Sequence, residues 1–298
     1  MTRFHAAHSL TEALALLHEE TDTRPMAGGT DILVRMRRSP PAVPLTLIGI
    51  EGVPELQGIR EEPSWLSIGA ATPFAAIAAS PLIAAHAPLL QDAARAVGAP
   101  AIRNMATLGG NLCTASPAGD SLPPLYVLDA EVELASKAGR RRMAVSDFIL
   151  GPGETQLEPG EILCRVLVPH APPIARCQFE KVGRRRSLAI AVASFAGLLR
   201  VDGAGRIAGA RFAFGSVGPA AVTVPEAEAL LRGQLAVQPD PAAVERAVLA
   251  VCATVRPIDD LRASASYRRA LAGNLLRRFL SPPSSPGLNA ATGHASHG

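Results

Sequence analysis

The chain has 298 residues, 48% of them hydrophobic and 18% charged, with a formal net charge of +3. That composition describes a globular protein of two or three domains, and so slight a positive charge gives no reason to expect nucleic acid as a ligand. Four cysteines without a C-x-x-C pair exclude the common zinc and iron–sulfur signatures, and no apolar run reaches the ~18 residues of a membrane helix. The opening Met1-Thr2-Arg3-Phe4-His5 is not a signal peptide, so the expected location is the cytoplasm.

Along the chain, Ser9-Leu10-Thr11-Glu12 is a capping box, and Leu10, Ala13, Leu14 and Leu17 mark the apolar face of the helix that follows. Residues 31–38 read as a short helix ended by Ser39-Pro40-Pro41, and residues 45–48 and 65–68 as strands. Thr72 is placed as the N-cap of a helix over 73–79, and a helix over 88–97 is stopped by Gly98. Residues 101–124 show no period of 2 or 3.6 and predict a long irregular stretch of functional kind. A half-buried strand over 130–135 turns Val132 and Leu134 inward and Glu131 and Glu133 outward, and 162–168 is a further strand. Residues 169–173 look like a linker. Apolar runs over 188–201 and 206–217 flank Asp202-Gly203-Ala204-Gly205, a hairpin signal. This extended setting rejects a Rossmann reading of Gly203, Gly205 and Gly209, because that motif needs a helix directly after the glycines. Helices are predicted over 224–232, 241–255 and 265–280. In the last, Tyr267, Leu271, Leu275 and Phe279 form a core stripe flanked by Arg268, Arg269, Arg277 and Arg278. Beyond 280 the Ser, Pro, Gly, Ala and His composition predicts disorder, with His294 and His297 inert.

Two glycine pairs carry the functional signal: Ala27-Gly28-Gly29-Thr30-Asp31 and Thr107-Leu108-Gly109-Gly110-Asn111. Glycine permits positive φ and brings bare amides close to a ligand, and successive amides form a nest for phosphate oxygens. One such pair alone is more often a structural turn; two of the same design suit a diphosphate held from both sides. Around the second, Ser116, Asp120 and Asn111 supply the mixed donors and acceptors that a ribityl chain needs.

Together these residues resemble the FAD-binding medium subunit of the molybdenum hydroxylases. The matching pieces are 27–33, Ile68-Gly69-Ala70-Ala71-Thr72, 103–111, Ser116-Pro117 with Asp120 and Pro123, Phe179-x-Lys181 with Arg184-Arg185-Arg186, 257–262 and Tyr267-Arg268-Arg269. The resemblance implies an α+β protein: a two-subdomain FAD-binding fold of the vanillyl-alcohol-oxidase (PCMH) type over 1–55 and 56–172, then a C-terminal α+β domain over 173–280 with a small antiparallel sheet. It implies that Ala27, Gly28, Gly29, Thr30 and Asp31, with Thr107, Gly109, Gly110 and Asn111, hold the FAD diphosphate through backbone and hydroxyl groups. Asp120 would bond the ribityl or adenosine part, while Ile68, Leu163 and Lys181 would line the flavin. Lys181 is also readable as part of a solvated cation run with Arg184, Arg185 and Arg186, and Leu188 stands where many members carry aspartate. No catalytic residue and no metal ligand is implied. The implied partners are a small [2Fe-2S] subunit and a large molybdenum-cofactor subunit in a dimer of heterotrimers, with NAD+ or a quinone as acceptor. The rival readings are a stand-alone flavin oxidase or reductase of the same fold and a flavin-free scaffold.

Overall fold

A computed structural model describes residues 2–19, 22–41, 43, 45–170, 174–185 and 189–281. The expected tail with His294 and His297, linker residues 171–173, and Arg186, Ser187 and Leu188 lie outside the described residues.

Three strands open the chain, β1 (Arg3–Ala6), β2 (Thr23–Met26) and β3 (Thr46–Gly49), with β3 central and parallel to both neighbours. Parallel pairing requires crossovers, and α1 (Leu10–Glu19) and α2 (Ile32–Arg38) supply them. The capping box closes α1 as expected. Ser9 Oγ accepts from the Glu12 amide at 3.1 Å, and the Glu12 carboxylate accepts from the His8 amide at 2.7 Å.

The second unit begins with β4 (Ile59–Glu61) and β5 (Trp65–Gly69) and then runs through short helices. These are α3 (Phe74–Ala79), α4 (Pro81–His86), α5 (Pro88–Ala96), α6 (Pro100–Met105), α7 (Leu108–Thr114) and α8 (Leu122–Val127). After them come β6 (Glu131–Ser136), β7 (Gly139–Ala144), α9 (Val145–Phe148), β8 (Ile149–Gly151), β9 (Glu154–Thr155) and β10 (Ile162–Pro169). The antiparallel sheet has the order β4-β5-β10-β6-β7 and buries Leu66, Ile68, Val132 and Val166 against Phe74 and Phe148. Three expectations fail here. The stretch read as irregular folds as α6, α7 and the start of α8, each of one to two turns. Thr72 does not cap α3; its hydroxyl donates to the Gly58 carbonyl at 3.1 Å. Glu133, expected in solvent, is buried beneath Arg140, Arg142 and Arg165 at 2.6, 2.9 and 3.1 Å. Burial pushes its carboxyl up, but the hydrogen bonds from Arg140 and Arg142 and the Arg165 charge prevail and hold it below its ordinary value.

The third unit is an antiparallel sheet in chain order, β11 (Arg176–Val182), β12 (Ala193–Val201), β13 (Ile207–Gly215) and β14 (Val222–Thr223), followed by α10 (Pro225–Leu231), α11 (Pro241–Thr254) and α12 (Ala265–Leu280). The expected hairpin joins β12 to β13: Gly205 has φ +74°, and Asp202 Oδ1 accepts from the amides of Ala204 and Arg206 at 2.9 Å. Alternation decides which core each side chain joins. Ala196, Leu198 and Ala213 pack into the core of the second unit, while Phe195, Phe212 and Phe214 join Phe279 beneath the helices.

The α12 stripe is only partly as predicted. Leu275 and Phe279 are buried, but Tyr267 is exposed, and Arg268, read as a surface cation, takes the inward place. Its guanidinium donates to the carbonyls of Val192 at 2.7 Å and Ser216 at 3.1 Å and to Asp260 at 2.7 Å. Both carbonyls lie just beyond the β12–β13 ladder, and buried carbonyls need a donor. Replacing Arg268 by Met should therefore lower the unfolding free energy by about 3 kcal/mol, the scale for stripping one partner from a buried charged network. Denaturant unfolding measures this, and a loss below about 1 kcal/mol would show that water satisfies those carbonyls.

Candidate functional site

A cleft of about 860 Å³ opens where the three units meet, walled by both glycine pairs, Asp120, Leu163 and Lys181. Gly29, in the loop between β2 and α2, has φ +68°. Gly28 is required for a different reason: a Cβ there would lie 1.6 Å from the Met105 carbonyl oxygen at the end of α6. Main chain of the first unit thus rests directly on main chain of the second. Among the described residues, the amides from Gly28 to Ile32 donate to no protein group. A run of unspent amides on a cleft wall is an anion cradle. Arg24 and Arg35 line the same wall. Asp31 Oδ2 pairs with Arg35 Nε at 2.7 Å and accepts from Thr114 Oγ1 at 3.2 Å, clasping α2 to the end of α7.

The second glycine pair is built differently, which corrects its reading as a nest. Thr107 is the N-cap of α7, and the amides of Leu108, Gly109 and Gly110 are spent on Thr72 O at 3.2 Å, Ala70 O at 2.8 Å and Thr107 Oγ1 at 3.1 Å. The segment leaving β5 runs alongside and takes them. Neither glycine has positive φ. Gly109 is demanded by packing, since a Cβ would stand 2.6 Å from Ala70 Cβ. Gly110 lies open on the cleft, where a Cβ would meet only Thr107 Oγ1, at 2.9 Å. Asn111 Oδ1 accepts from Ser121 Oγ at 2.7 Å, which leaves its amide nitrogen as a donor on the wall. Ala115 then turns the chain in the left-handed region at φ +46°, a conformation costing a side-chain residue roughly 1 kcal/mol. That turn lays Ser116, Gly119 and Asp120 along the cleft.

Asp120 is 7% exposed. Its Oδ2 lies 2.5 Å from Lys181 Nζ, while its buried Oδ1 has no hydrogen-bond partner among the described residues. Burial pushes the carboxyl up and the Lys181 charge and hydrogen bond pull it down, leaving it at about 6. The imbalance amounts to about 3 kcal/mol against the charged form. A ligand hydroxyl that reached Oδ1 would return about 1.5–3 kcal/mol, so a ligand bearing hydroxyls would relieve this buried carboxylate. Lys181 is no solvated cation: it is nearly buried, and Nζ also donates to the Ala96 carbonyl at 3.0 Å, joining β11 to the end of α5. Arg184, nearby in sequence, instead reaches the Leu261 carbonyl.

Leu163 lines the cleft, but Ile68 does not. In β5 it pairs with Val166 and points into the core of the second unit, fully buried, so an aliphatic side chain there is core. Arg24, Arg35 and Leu157 are cleft residues that sequence reading missed. The Asp31–Arg35 pair at i, i+4 was a readable signal; Leu157 comes from a loop without pattern. The donor set fits FAD, with amides and guanidiniums for a diphosphate, the orphaned Asp120 oxygen for hydroxyls, and Leu163, Leu157 and Ile190 for a ring.

Comparison with known proteins agrees. Residues 1–171 match the family of the FAD binding domain in molybdopterin dehydrogenase, and residues 178–282 match the CO dehydrogenase flavoprotein C-terminal domain. The nicotinate dehydrogenase FAD-subunit of Eubacterium barkeri is 38% identical over 237 residues, covering 77% of this chain and 79% of that one. The carbon monoxide dehydrogenase medium chain of Hydrogenophaga pseudoflava is 33% identical over 278 residues, covering 93% and 95%. A solved carbon monoxide dehydrogenase from that organism, lacking the Mo-pyranopterin moiety of its cofactor, superposes with a TM-score of 0.86 at 35% identity, covering 94% and 96%.

Because a hydroxyl donor favours the charged carboxylate, FAD binding should lower the Asp120 pKa. Affinity is then full above pH about 6 and falls by up to tenfold per pH unit below it. Fluorescence titration of the flavin-free chain between pH 7 and pH 5 tests this. Asp120→Asn should bind more weakly throughout and lose the pH dependence, and a flat wild-type profile would remove Asp120 from the site.

Proposed function

The chain belongs to the FAD-binding medium subunits of the molybdenum hydroxylases, and from that membership we propose that it is the flavoprotein of a three-subunit dehydrogenase. In this reading it receives electrons from [2Fe-2S] clusters on a small partner and passes them to NAD+ or a quinone. Substrate oxidation belongs to a large partner carrying the molybdenum cofactor, and the assembly is a cytoplasmic dimer of heterotrimers. Its units divide at residues 55, 172 and 280. Among the described residues no helix is long and apolar enough to cross a membrane.

The observation that carries the reading is the orphaned Asp120 oxygen in a cleft that is also lined by a run of unspent amides. The chemistry FAD supplies when bound is exchange between single-electron and paired-electron carriers. The chain's own residues hold and orient. Gly28 to Ile32 with Arg24 and Arg35 would take the diphosphate, Asn111 and Asp120 the hydroxylated parts, and Lys181 would fix the carboxylate as an acceptor. Leu163 and Leu157 would keep water from the ring.

The ionisable groups of the cleft favour electron transfer over substrate chemistry. Its three carboxylates among the described residues are all paired with cations: Asp31 with Arg35 at 2.7 Å, Asp120 with Lys181 at 2.5 Å and Glu161 with Arg141 at 2.7 Å. Asp31 and Glu161 are committed to guanidiniums, and in this reading the open oxygen of Asp120 serves a ligand hydroxyl rather than a proton transfer. The C-terminal unit also presents Ile258, Leu261 and Tyr267 to solvent, Leu261 at 85% exposure. Ile258 and Leu261 held outward on a braced loop, with Tyr267 in the first turn of α12, suit contact with another chain; Asp260 braces this loop by accepting from the amides of Arg262 at 2.8 Å and Ala263 at 3.2 Å.

Isolation of the native complex through this chain tests the proposal. The expected result is FAD, iron and molybdenum co-purifying with two further chains, and bleaching of the flavin only when the large partner's substrate is added. A lone chain that retains FAD and turns over a small organic substrate would instead establish the stand-alone oxidase.

A further inference from the structure

Away from the cleft, three side chains from separate elements of the second unit converge. His86 ends α4, His170 follows the last residue of β10, and Glu61 ends β4. Pro169 pairs with Trp65 at the start of β5, whereas Ala70, just past its end, lines the cleft. The cluster therefore lies about five strand residues, roughly 17 Å, from the flavin site.

The ring geometry is specific. Nδ1 of His86 and Nδ1 of His170 face each other at 3.2 Å. His170 Nε2 lies 2.8 Å from the Glu62 carbonyl, which can only accept, so Nε2 carries the hydrogen and Nδ1 of the neutral ring presents a lone pair to His86. On the far side of the His86 ring, Nε2 lies 3.3 Å from Glu61 Oε1. Each ring thus has one nitrogen held from outside by an oxygen and the other turned toward a common point. Ligating histidines show that arrangement, the outer carbonyl or carboxylate fixing the tautomer and ring orientation. Two imidazole nitrogens bound tetrahedrally at about 2.0–2.1 Å from one ion stand about 3.3–3.4 Å apart, close to the separation found here. The rings are partly buried and the Glu61 side chain is 52% exposed, so water can reach the remaining coordination positions.

We propose that His86 and His170 bind one divalent transition-metal ion of the zinc class through their Nδ1 atoms, with Glu61 and the Glu62 carbonyl orienting the two rings. An imidazole pair favours such an ion over magnesium or calcium, which prefer all-oxygen shells. The ion joins the end of α4 to the exit of β10, the point where the chain leaves the flavin-binding unit for the C-terminal sheet. It is a cross-link at that exit and takes no part in the cleft.

Full-length chain carrying FAD and no histidine tag, first treated with chelator, is titrated with Zn2+ by calorimetry and with Co2+ by visible absorption. One site per chain is expected, with the intense visible bands of tetrahedral Co2+ and an upward shift of the thermal midpoint on Zn2+ addition. His86→Gln and His170→Gln should each weaken Zn2+ binding at least tenfold, and Glu61→Gln by 10–100-fold, the scale for losing an orienting partner. Retained FAD absorbance shows that each variant is folded. Unchanged Zn2+ affinity in both histidine variants, or the pale spectrum of octahedral Co2+ in the wild-type chain, would overturn the site; the second outcome needs no variant.

Discussion

A carboxylate sealed from water with one oxygen unpaired is unfavourable in the protein alone, and the cleft is arranged around that fact. Lys181 answers one oxygen of Asp120, and nothing among the described residues answers the other. The elements that hold this pair come from two units: Asp120 from the turn after α7, Lys181 from β11, with the Ala96 carbonyl of α5 steadying the ammonium. Docking of the C-terminal sheet therefore does more than bury Ala196, Leu198 and Ala213. It delivers the Lys181 cation that pairs with Asp120 and, against the burial that pushes the carboxyl up, helps set the pH range in which the carboxylate can accept a hydroxyl.

The amide-lined part of the cleft depends on a main-chain contact. Gly28 touches the Met105 carbonyl so closely that no other residue fits, and the Asp31, Arg35 and Thr114 clasp holds the same seam a few residues on. Together these contacts fix the segment from Gly28 to Ile32, whose amides are unspent, against the second unit at the cleft. The site is thus an interface property. The cleft combines a run of free amides, Arg24 and Arg35 with the buried carboxylates of Asp120 and Glu161, a mixture that suits both the diphosphate and the hydroxyls of a dinucleotide.

Much of this was legible in the sequence, for identifiable reasons. Helix α12 spans the predicted residues because it is long enough for its apolar period to accumulate and Ser264 caps it. The hairpin after β12 was readable from Asp202 and Gly205, whose turn chemistry is local. The glycine pairs and Asp120 stood out because their residue types match what a diphosphate and a ribityl chain require. Helices α6, α7 and α8 were not readable, since six or seven residues complete fewer than two turns and give no period. The role of the second glycine pair was hidden for another reason. Its amides are consumed by Ala70 and Thr72, which are distant in sequence, and only the tertiary structure shows that the first pair alone keeps free donors. Arg268 and Glu133 were misplaced because their burial follows from partners on other elements, whereas charge alone argues for solvent.

The most direct test is a crystal structure of the chain with FAD bound. The account requires a ligand hydroxyl within hydrogen-bonding distance of Asp120 Oδ1 and the diphosphate oxygens on the amides between Gly28 and Ile32. A structure in which FAD lies elsewhere, or lies in the cleft while that oxygen stays without a donor, would contradict it.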